Sequence, residues 1–404
     1  MKILYADSVD ESTLGRLTEA GHDVSVQADL TAETLPQVVA DADVLVVRST
    51  QVTAETIAAA KNLGLVVRAG AGTDNIDKDA ASARGIYVCN VPGRNAIAVA
   101  ELTMGLLLAV DRRIADNTAD LRQGRWDKKS YTVADGLYGK QLGIVGLGDV
   151  GLAVAERAKA FGLTVVAERK SGRSSQALTA IRSIGIRLLD SQDELLATSD
   201  VVSIHVPKSE DTIGMVDKSF LAKMKDGAVL LNTSRGDVVD ESALLEALDS
   251  GRIRAGLDVW DSEPGTGQGE FHSPLAKHPG VIGTHHIGAS TSQAQRSIAE
   301  GTLETIEAFL GGDPVNCVNI RHEPSGDIRL TVRHLDRVGV LAQVFAVLRA
   351  HGLNVQQMQN QVFQGGQAAV ASIFVGGTVT DEVIAALEQI DEVIGISSSP
   401  TSKH

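Results

Sequence analysis

The chain has 404 residues, of which 43% are hydrophobic and 22% are charged, a composition typical of a globular protein with two or three domains. Its 37 Lys and Arg residues against 51 Asp and Glu residues give a net charge of −14, so the overall field argues against a nucleic-acid-binding protein. An anionic ligand would therefore need a local group of basic side chains.

The first part of the chain alternates short β-branched runs with amphipathic stretches. Predicted strands cover residues 2–6, 24–26, 44–47, 65–68 and 87–90. This alternation predicts a parallel sheet with helices on both faces. The longest apolar run, residues 96–110, is interrupted by Glu101 and is too short to span a bilayer. We interpret it as a buried helix and expect no membrane segment.

Targeting and cysteine content both favour a cytoplasmic protein. The first residues contain neither a basic stretch nor a long apolar run, so they do not resemble a signal peptide. Cys89 and Cys317 are the two cysteines of the sequence and lie far apart in it. Their spacing indicates neither a disulfide framework nor a metal site, and we expect a reducing compartment.

A second series of strands and helices follows the apolar helix. Its predicted strands cover residues 141–145, 164–167, 201–205, 228–232, 255–258 and 281–284, and six such strands suit a doubly wound nucleotide-binding domain. Helical periodicity resumes over residues 291–310, and we expect this helix to return to the first domain. The division is then 1–94 with 286–315 for substrate binding and 95–285 for the Rossmann domain.

A glycine-rich turn follows the first strand of the second series, with the sequence Gly146-Leu147-Gly148-Asp149-Val150-Gly151. Between a strand and a helix, such glycines allow a tight turn and let backbone N–H groups approach a pyrophosphate. The next strand should end at the adenosine ribose. There Glu168 favours NAD, whereas the adjacent Arg169, Lys170 and Arg173 could pair with the 2′-phosphate of NADP. We favour NAD, because a carboxylate would repel that phosphate.

Three further segments at predicted strand ends carry chemistry: 232–236, 257–264 and 284–291. Ligands of doubly wound sheets bind at the carboxyl ends of the strands, so these segments should meet in one cleft. They would bring together a guanidinium (Arg235), a carboxyl group (Glu263) and an imidazole (His286).

With these motifs, the chain resembles the D-isomer-specific 2-hydroxyacid dehydrogenases over nearly its whole length. The resemblance implies that Arg235 holds the substrate carboxylate, that Glu263 supports the histidine, and that His286 transfers the proton. An arginine can hold a carboxylate through two parallel hydrogen bonds, and an imidazole titrates near working pH. The resemblance places Arg169 at the family's acidic ribose position. It also assigns cofactor contacts to Asp149, Val150, Val206, Thr233, Ser234, Asp258, Gly288 and Ala289.

For the substrate's phosphate, the same resemblance suggests Arg48, Ser49, the loop Arg68-Ala69-Gly70, Asn95 and Gln295. We expect Arg48 to make the main phosphate contact, since it follows the predicted strand at 44–47. Lys128 aligns with a lysine that reaches the neighbouring subunit's site in relatives. A homodimer or homotetramer is therefore expected.

The last part of the chain forms a separate small domain. Residues 316–326 are polar and contain Pro324 and Gly326, which predicts a linker. Residues 327–404 follow with a β-α-β-β-α-β order, the ferredoxin-like split unit, and resemble the ACT domain. The resemblance implies a regulatory site for serine at His334, Asp336 and Asn354. An ACT-like domain used only for assembly is the alternative.

The resemblance of the whole chain implies oxidation of 3-phospho-D-glycerate to 3-phosphohydroxypyruvate with NAD or NADP, the first step of L-serine synthesis. Two alternatives stay open. One is reduction of glyoxylate or hydroxypyruvate, which uses the same three catalytic residues without a phosphate site. The other is a non-catalytic NAD-dependent interaction protein, as among the dehydrogenase-like corepressors.

Overall fold

The computed structural model describes residues 1–264, 269–321 and 326–401. It divides the chain into two compact units, Met1–Asn319 and Ile320–His404. The first unit contains two parallel sheets and the second contains one antiparallel sheet.

The first sheet has five parallel strands in the order β2-β1-β3-β4-β5. This is the doubly wound order of flavodoxin-like folds. Its strands are β1 (Lys2–Tyr5), β2 (Asp23–Val26), β3 (Val44–Val47), β4 (Leu65–Arg68) and β5 (Tyr87–Asn90). Its helices are α1 (Leu14–Glu19), α2 (Leu35–Val38), α3 (Ala54–Ala59) and α4 (Lys78–Ala83). All five predicted strands are present, with ends shifted by at most one residue.

The apolar run after β5 forms the long helix α5 (Ala96–Arg112), followed by α6 (Ile114–Arg122). Leu106 and Leu107 of α5 are buried in the core of the second sheet, whereas Glu101 points to the surface. Of the helices that the structure describes, none is long and apolar enough to cross a membrane.

The second sheet has seven parallel strands in the order β12-β11-β10-β9-β6-β7-β8, the Rossmann order with an added strand. The strands are β6 (Gln141–Val145), β7 (Thr164–Glu168), β8 (Arg187–Leu189), β9 (Val201–Ile204), β10 (Ala228–Asn232), β11 (Ile253–Leu257) and β12 (Val281–Gly283). The helices are α7 (Asp149–Ala160), α8 (Ser175–Ile184), α9 (Gln192–Thr198), α10 (Lys218–Lys223), α11 (Glu241–Asp249), α12 (Pro274–Lys277) and α13 (Ser292–Leu310). The sequence pattern predicts six of these seven strands and misses the short strand β8. Its three residues include an exposed arginine and carry little apolar signal.

The helix α13 returns to the first sheet, although it follows the strands of the second. The side chain of Thr291 accepts a hydrogen bond from the backbone N–H of Ala294 and so fixes where α13 begins. Leu303 and Ile306 of α13 are buried in the same apolar cluster as Ile3 of β1. The chain thus crosses between the two sheets at α5 and again before α13.

The first residues of the predicted linker, 316–326, belong to the first unit of the structure. Residues 316–319 lie antiparallel to β5, with hydrogen bonds from Val318 N to Val88 O and from Asn90 N to Asn316 O. These bonds flank Cys89 and Cys317, whose sulfur atoms lie 2.9 Å apart in a buried contact. Backbone pairing outweighs the polar composition here. Residues 322–325, with Pro324, lie outside the described residues.

The Cys89 thiol is expected to be unreactive in the folded protein. Burial and the hydrogen bond to Cys317 raise the pKa of Cys89, and the thiolate is the nucleophilic form. We expect iodoacetamide at pH 8 to label the native protein at least about tenfold more slowly than the urea-unfolded chain. Peptide mass spectrometry over time measures this, and equal labelling of Cys89 in both states would contradict it.

The second unit has the predicted β-α-β-β-α-β order, with its strands arranged β14-β15-β13-β16, as in ferredoxin-like domains. Its strands are β13 (Ile328–Leu335), β14 (Asn354–Val362), β15 (Ala368–Gly376) and β16 (Val393–Pro400), with α14 (Val340–Ala350) and α15 (Asp381–Glu388). Leu330, Val344, Ile373 and Leu387 are among the side chains of its core. Residues 402–404 of the predicted domain lie outside the described part.

Candidate active site

The loop that follows β10 is shaped by the last residue of that strand, Asn232. Its Oδ1 accepts hydrogen bonds from the backbone N–H of Ser234 at 3.0 Å and from the Ser234 hydroxyl at 2.7 Å. Its Nδ2 donates to the carbonyl of Arg235 at 2.8 Å. Thr233 is buried, and its hydroxyl contacts that of Thr103 on α5 at 2.9 Å. These contacts hold the loop so that it presents Arg235.

The guanidinium of Arg235 is held by two partners. Its Nη1 donates to the Ser234 carbonyl at 2.8 Å, and its Nε donates to Asp74 Oδ2 at 2.9 Å. Asp74 belongs to the loop after β4 of the first sheet. Arg235 is therefore anchored by both parallel sheets of the first unit.

The predicted imidazole and carboxyl group form a direct pair. Glu263 Oε2 lies 2.7 Å from His286 Nδ1, and Glu263 Oε1 accepts from the backbone N–H of Trp260 at 2.9 Å. Burial acts to raise the pKa of Glu263, but the hydrogen bonds from His286 and Trp260 and the nearby charge of Arg235 outweigh it and leave that pKa below its ordinary value. The carboxyl group is therefore ionised at neutral pH, and it fixes the imidazole with Nε2 directed away from it.

Asp258, the first residue after β11, accepts the hydrogen bonds that hold the loop carrying His286. Its backbone carbonyl accepts from His286 N at 2.7 Å, and its carboxylate accepts from Ile287 N at 2.9 Å, Gly288 N at 2.8 Å and the Thr284 hydroxyl at 2.6 Å. This network stabilises His286 at φ +50, a left-handed conformation that is uncommon for a non-glycine residue. Although cofactor contacts were predicted for Asp258 and the Gly288 backbone, both take part in this internal network.

Two more arginines lie beside Arg235. Burial lowers the pKa of Arg68 to about 10, with further contributions from the positive charges of Arg235 and Arg48. The buried Nε of Arg68 has no hydrogen-bond partner among the residues that the structure describes. The charges of Arg48 and Arg235 thus both act on the Arg68 guanidinium, which places three cationic side chains in one region of the first unit.

The predicted phosphate residues around Arg48 are joined by hydrogen bonds. Asp7, at the end of β1, accepts from the backbone N–H groups of Arg48 at 2.6 Å and Ser49 at 3.1 Å. Arg48 Nη1 donates to Gln295 Oε1 at 3.0 Å, and Gln295 Nε2 donates to the carbonyl of Ala289 at 2.9 Å. Arg48 is thus linked through Gln295 to the loop that carries His286.

The remaining predicted substrate residues are placed differently. Gly70, beside Ala69, has φ +141, and a Cβ on it would lie 1.7 Å from Arg68 Nη1, so Gly70 makes room for that guanidinium. Asn95 precedes α5, and its carbonyl accepts from Val99 N at 3.1 Å. Lys128 instead lines a cavity of about 790 Å³ whose lining residues all come from positions 112–136.

The glycine-rich turn has the geometry that the fingerprint predicts. Gly146 has φ +101, and a Cβ on it would lie 2.4 Å from His205 O, while a Cβ on Gly151 would lie 2.1 Å from Gly146 O. Gly148 immediately precedes α7 and faces open space, as no atom lies within 4 Å of its ideal Cβ. Asp149 and Val150 open the helix. The turn therefore leaves a cradle at a helix N-terminus that fits a pyrophosphate.

The end of β7 carries both signs of charge. Lys170 Nζ lies 3.8 Å from Glu168 Oε2, and Arg169 Nε lies 3.4 Å from Asp190 Oδ1. Arg173 donates to the Glu168 carbonyl at 2.8 Å. Val206, after β9, is partly buried against the sheet core. Each of the two exposed cations thus already has a carboxylate partner.

Substitution of Gly148 by alanine separates ligand binding from folding. Its φ of −86 and ψ of −164 suit alanine, and the new methyl group would enter the cradle. We expect an unchanged melting temperature and a Kd for NADH that is at least about tenfold weaker by fluorescence titration. Gly151→Ala should instead destabilise the protein itself, and tight NADH binding by a folded Gly148→Ala variant would contradict the proposed cradle.

The predicted effector residues, His334, Asp336 and Asn354, all belong to the second unit. His334 is 2% exposed, and its Nδ1 lies 2.8 Å from Leu335 O and its Nε2 3.2 Å from Asn360 Oδ1. Asp336 and Asn354 are exposed, the former in the turn before α14 and the latter at the start of β14. Two of the three residues are accessible, whereas His334 is engaged within the sheet.

Sequence reasoning assigned no role in this site to Asp7, Asp74 or Asn232, although Asn232 lies in the predicted segment 232–236. Asp7 and Asn232 stand at the ends of β1 and β10, and Asp74 lies in the loop after β4, so the carboxyl-end rule that identified Arg235 could also have identified them. Their partners could not be predicted, since Asp74 and Arg235 are 161 residues apart.

Comparison with known proteins places this site in a family. The family model for the D-isomer specific 2-hydroxyacid dehydrogenase, NAD binding domain, matches residues 104–288. D-3-phosphoglycerate dehydrogenase of Methanocaldococcus jannaschii is 42% identical over 335 residues, which are 81% of this chain and 62% of that relative. This chain therefore spans less than two thirds of that protein's length.

Two other relatives are matched over most of their length. Hydroxypyruvate reductase of Thermotoga maritima is 43% identical over 284 residues, 70% of this chain and 89% of the relative. The solved structure of the TT0316 protein of Thermus thermophilus is 36% identical, with a TM-score of 0.70, over 79% of this chain and 100% of that one. This chain is a member of the D-isomer specific 2-hydroxyacid dehydrogenase family, and residues 104–288 are its NAD binding domain.

Proposed function

We propose that the protein interconverts 3-phospho-D-glycerate and 3-phosphohydroxypyruvate with a nicotinamide cofactor, as the first step of L-serine synthesis. One observation carries this proposal: Arg48, Arg68 and Arg235 lie in one region, and Arg48 is linked through Gln295 to the loop that carries His286 of the His286–Glu263 pair. A phosphorylated 2-oxo acid carries a phosphate and a carboxylate, and this group can neutralise both.

The proposed role of each catalytic side chain is supported by its hydrogen bonds. Arg235 holds the substrate carboxylate and so orients the reacting carbon. His286 Nε2 gives a proton to the substrate oxygen in reduction and removes it in oxidation, while Glu263 keeps the imidazole in position. The bound nicotinamide supplies or accepts the hydride.

Arg48 and Arg68 are proposed to bind the phosphate. The buried Nε of Arg68 has no hydrogen-bond partner within residues 1–264, 269–321 and 326–401, and a phosphate oxygen would satisfy it. Arg48 is fixed at its backbone by Asp7 and at its side chain by Gln295. Residues 1–94 with 286–315 are then the substrate-binding part, and 95–285 the cofactor-binding part.

Reduction of hydroxypyruvate is the second candidate, since the reductase of Thermotoga maritima is 43% identical. That alignment covers 70% of this chain, and the site it supports has no need for Arg48 or Arg68. Relative kcat/KM for 3-phosphohydroxypyruvate, hydroxypyruvate and glyoxylate decides between the reactions. Equal values for the phosphorylated and unphosphorylated acids, or an unchanged KM in Arg48→Ala, would reject the phosphate assignment. Absence of turnover on every 2-oxo acid would favour the non-catalytic alternative.

NAD is the proposed cofactor. The carboxylates of Asp190 and Glu168 lie beside Arg169 and Lys170, so a 2′-phosphate would meet negative charge as well as positive charge. A higher kcat/KM with NADPH than with NADH would reject this preference.

A homo-oligomer in the cytoplasm is also proposed. Trp126 is 82% exposed and Val133 is 83% exposed, and both lie in the segment that carries Lys128. Exposed large apolar side chains are a feature of interaction surfaces, and a second copy of the chain would bury them. Analytical ultracentrifugation of the wild type and of Trp126→Asp tests this, and a monomeric wild type would reject it.

Serine is proposed as an effector of the second unit, with Asp336 and Asn354 as its exposed contacts. A carboxylate such as Asp336 can hold the ammonium group of an amino acid. Initial rates measured up to millimolar serine test this proposal. Flat activity would leave the assembly role alone.

A further inference from the structure

Asp74 contacts Arg235 from the loop after β4. Its Oδ2 accepts from Arg235 Nε at 2.9 Å, and the two side chains are 37% and 29% exposed. The loop that carries Asp74 is itself anchored: Asn75 Nδ2 donates to Thr50 O at 2.8 Å, and Val52 N donates to Asn75 O at 2.8 Å. Asp74 therefore offers Arg235 a fixed acceptor.

The contacts of Arg235 leave one edge of its guanidinium available. A guanidinium has five N–H groups in a plane. The Nε–H points at Asp74, and one Nη1–H points at the Ser234 carbonyl. A Cβ on Gly72 would lie 1.8 Å from Arg235 Nη2, so the glycine lets its backbone approach this nitrogen closely. Among the described residues, the second N–H of Nη1 and the N–H groups of Nη2 have no hydrogen-bond partner, so they are left for a second carboxylate.

We propose that Asp74 is a positioning residue, which turns Arg235 so that its outer Nη1 and Nη2 edge meets the substrate carboxylate. The proposal rests on the proposed function, because it assigns Arg235 that ligand. Gly72 takes part by leaving room for Nη2.

Charge explains why Arg235 needs such a partner. Arg48 and Arg68 also carry positive charge near it. After burial, the charges of Arg235 and Arg48 lower the pKa of Arg68, and the carboxylates of Asp74 and Asp7 act in the opposite direction. Without Asp74, repulsion and the freed Nε–H would both favour other orientations of the Arg235 side chain.

Three variants test the proposal by oxalate binding and by kinetics. Calorimetry of the holoenzyme with oxalate, a small dicarboxylate, reports carboxylate binding whether or not turnover occurs. We expect Asp74→Ala to weaken oxalate binding and to raise the KM for 3-phosphohydroxypyruvate, each by about tenfold or more. Asp74→Asn keeps an acceptor oxygen for Nε–H and should recover most of the loss, while Gly72→Ala should reproduce it.

The matched control is Asp79→Ala, which removes the same charge from an exposed position on α4. It should leave oxalate binding, KM and the Kd for NADH within about twofold of the wild type. Unchanged or tighter oxalate binding by Asp74→Ala would overturn the proposal, as would equal losses in Asp74→Ala and Asp79→Ala. A wild type that binds oxalate but reduces no 2-oxo acid would instead reject the proposed function.

Discussion

The His286→Gln variant should lose about 10²–10⁴-fold in kcat for reduction of 3-phosphohydroxypyruvate. The glutamine amide places its polar atoms near the position of Nε2, but it cannot release or take up a proton near neutral pH. The proton transfer then depends on water. Steady-state kinetics and fluorescence titration with NADH measure turnover and cofactor affinity separately, and we expect the Kd for NADH to change by less than about threefold.

His285→Gln is the matched control for this prediction. His285 is the neighbouring residue and is exposed, whereas His286 is the histidine paired with Glu263 at 2.7 Å. The control should keep wild-type kcat. A His286→Gln variant with near-normal kcat, or a His285→Gln variant with the larger loss, would remove His286 from the mechanism.

The order of the elements could be predicted because it depends on local patterns. The strands β1, β3, β4 and β5 are short apolar runs between turn signals, and their parallel order follows from the helices between them. Strand β8 was not predicted, because only Leu189 of its three residues is buried. The pairing of residues 316–319 with β5 was not predicted, because it is made by backbone hydrogen bonds, which do not depend on amino-acid composition.

The candidate site could be predicted as a set of residues but not as a network. Arg235, Glu263 and His286 each follow or precede a strand end in a recognisable segment. The family resemblance predicts Asp258 as a cofactor contact, and the structure shows in addition that it is 1% exposed and that its carboxylate accepts three hydrogen bonds. Whether a polar side chain faces a ligand or supports a loop depends on packing, and the sequence pattern is the same for both.

The left-handed conformation of His286 shows what that support does. A backbone with φ +50 is unfavourable for histidine, and the hydrogen bonds to Asp258 from residues 286–288 hold it there. In this arrangement the loop presents the imidazole of His286 to Glu263, at 2.7 Å. The chemistry of the site is therefore set by residues that need not touch a substrate.

Replacement of Arg235 by lysine is expected to lower kcat/KM for 3-phosphohydroxypyruvate by about 10²-fold or more. An ammonium keeps the charge, but it lacks the planar fork that serves Asp74, the Ser234 carbonyl and a substrate carboxylate at once. The loss should appear in both KM and kcat, because a carboxylate held by one hydrogen bond leaves the reacting carbon poorly oriented.

Arg252→Lys is the control. Arg252 directly precedes β11, so it lies at the amino ends of the strands, whereas Arg235 lies at their carboxyl ends. Arg252 pairs with Asp226 at 2.7 Å. It should stay within about twofold of the wild type, since its ion pair and its hydrogen bond to the Met224 carbonyl lie at the edge of the sheet away from Arg235. If Arg235→Lys also stayed within that range, charge alone would account for substrate binding, and the two-pronged grip assigned to Arg235 would be wrong.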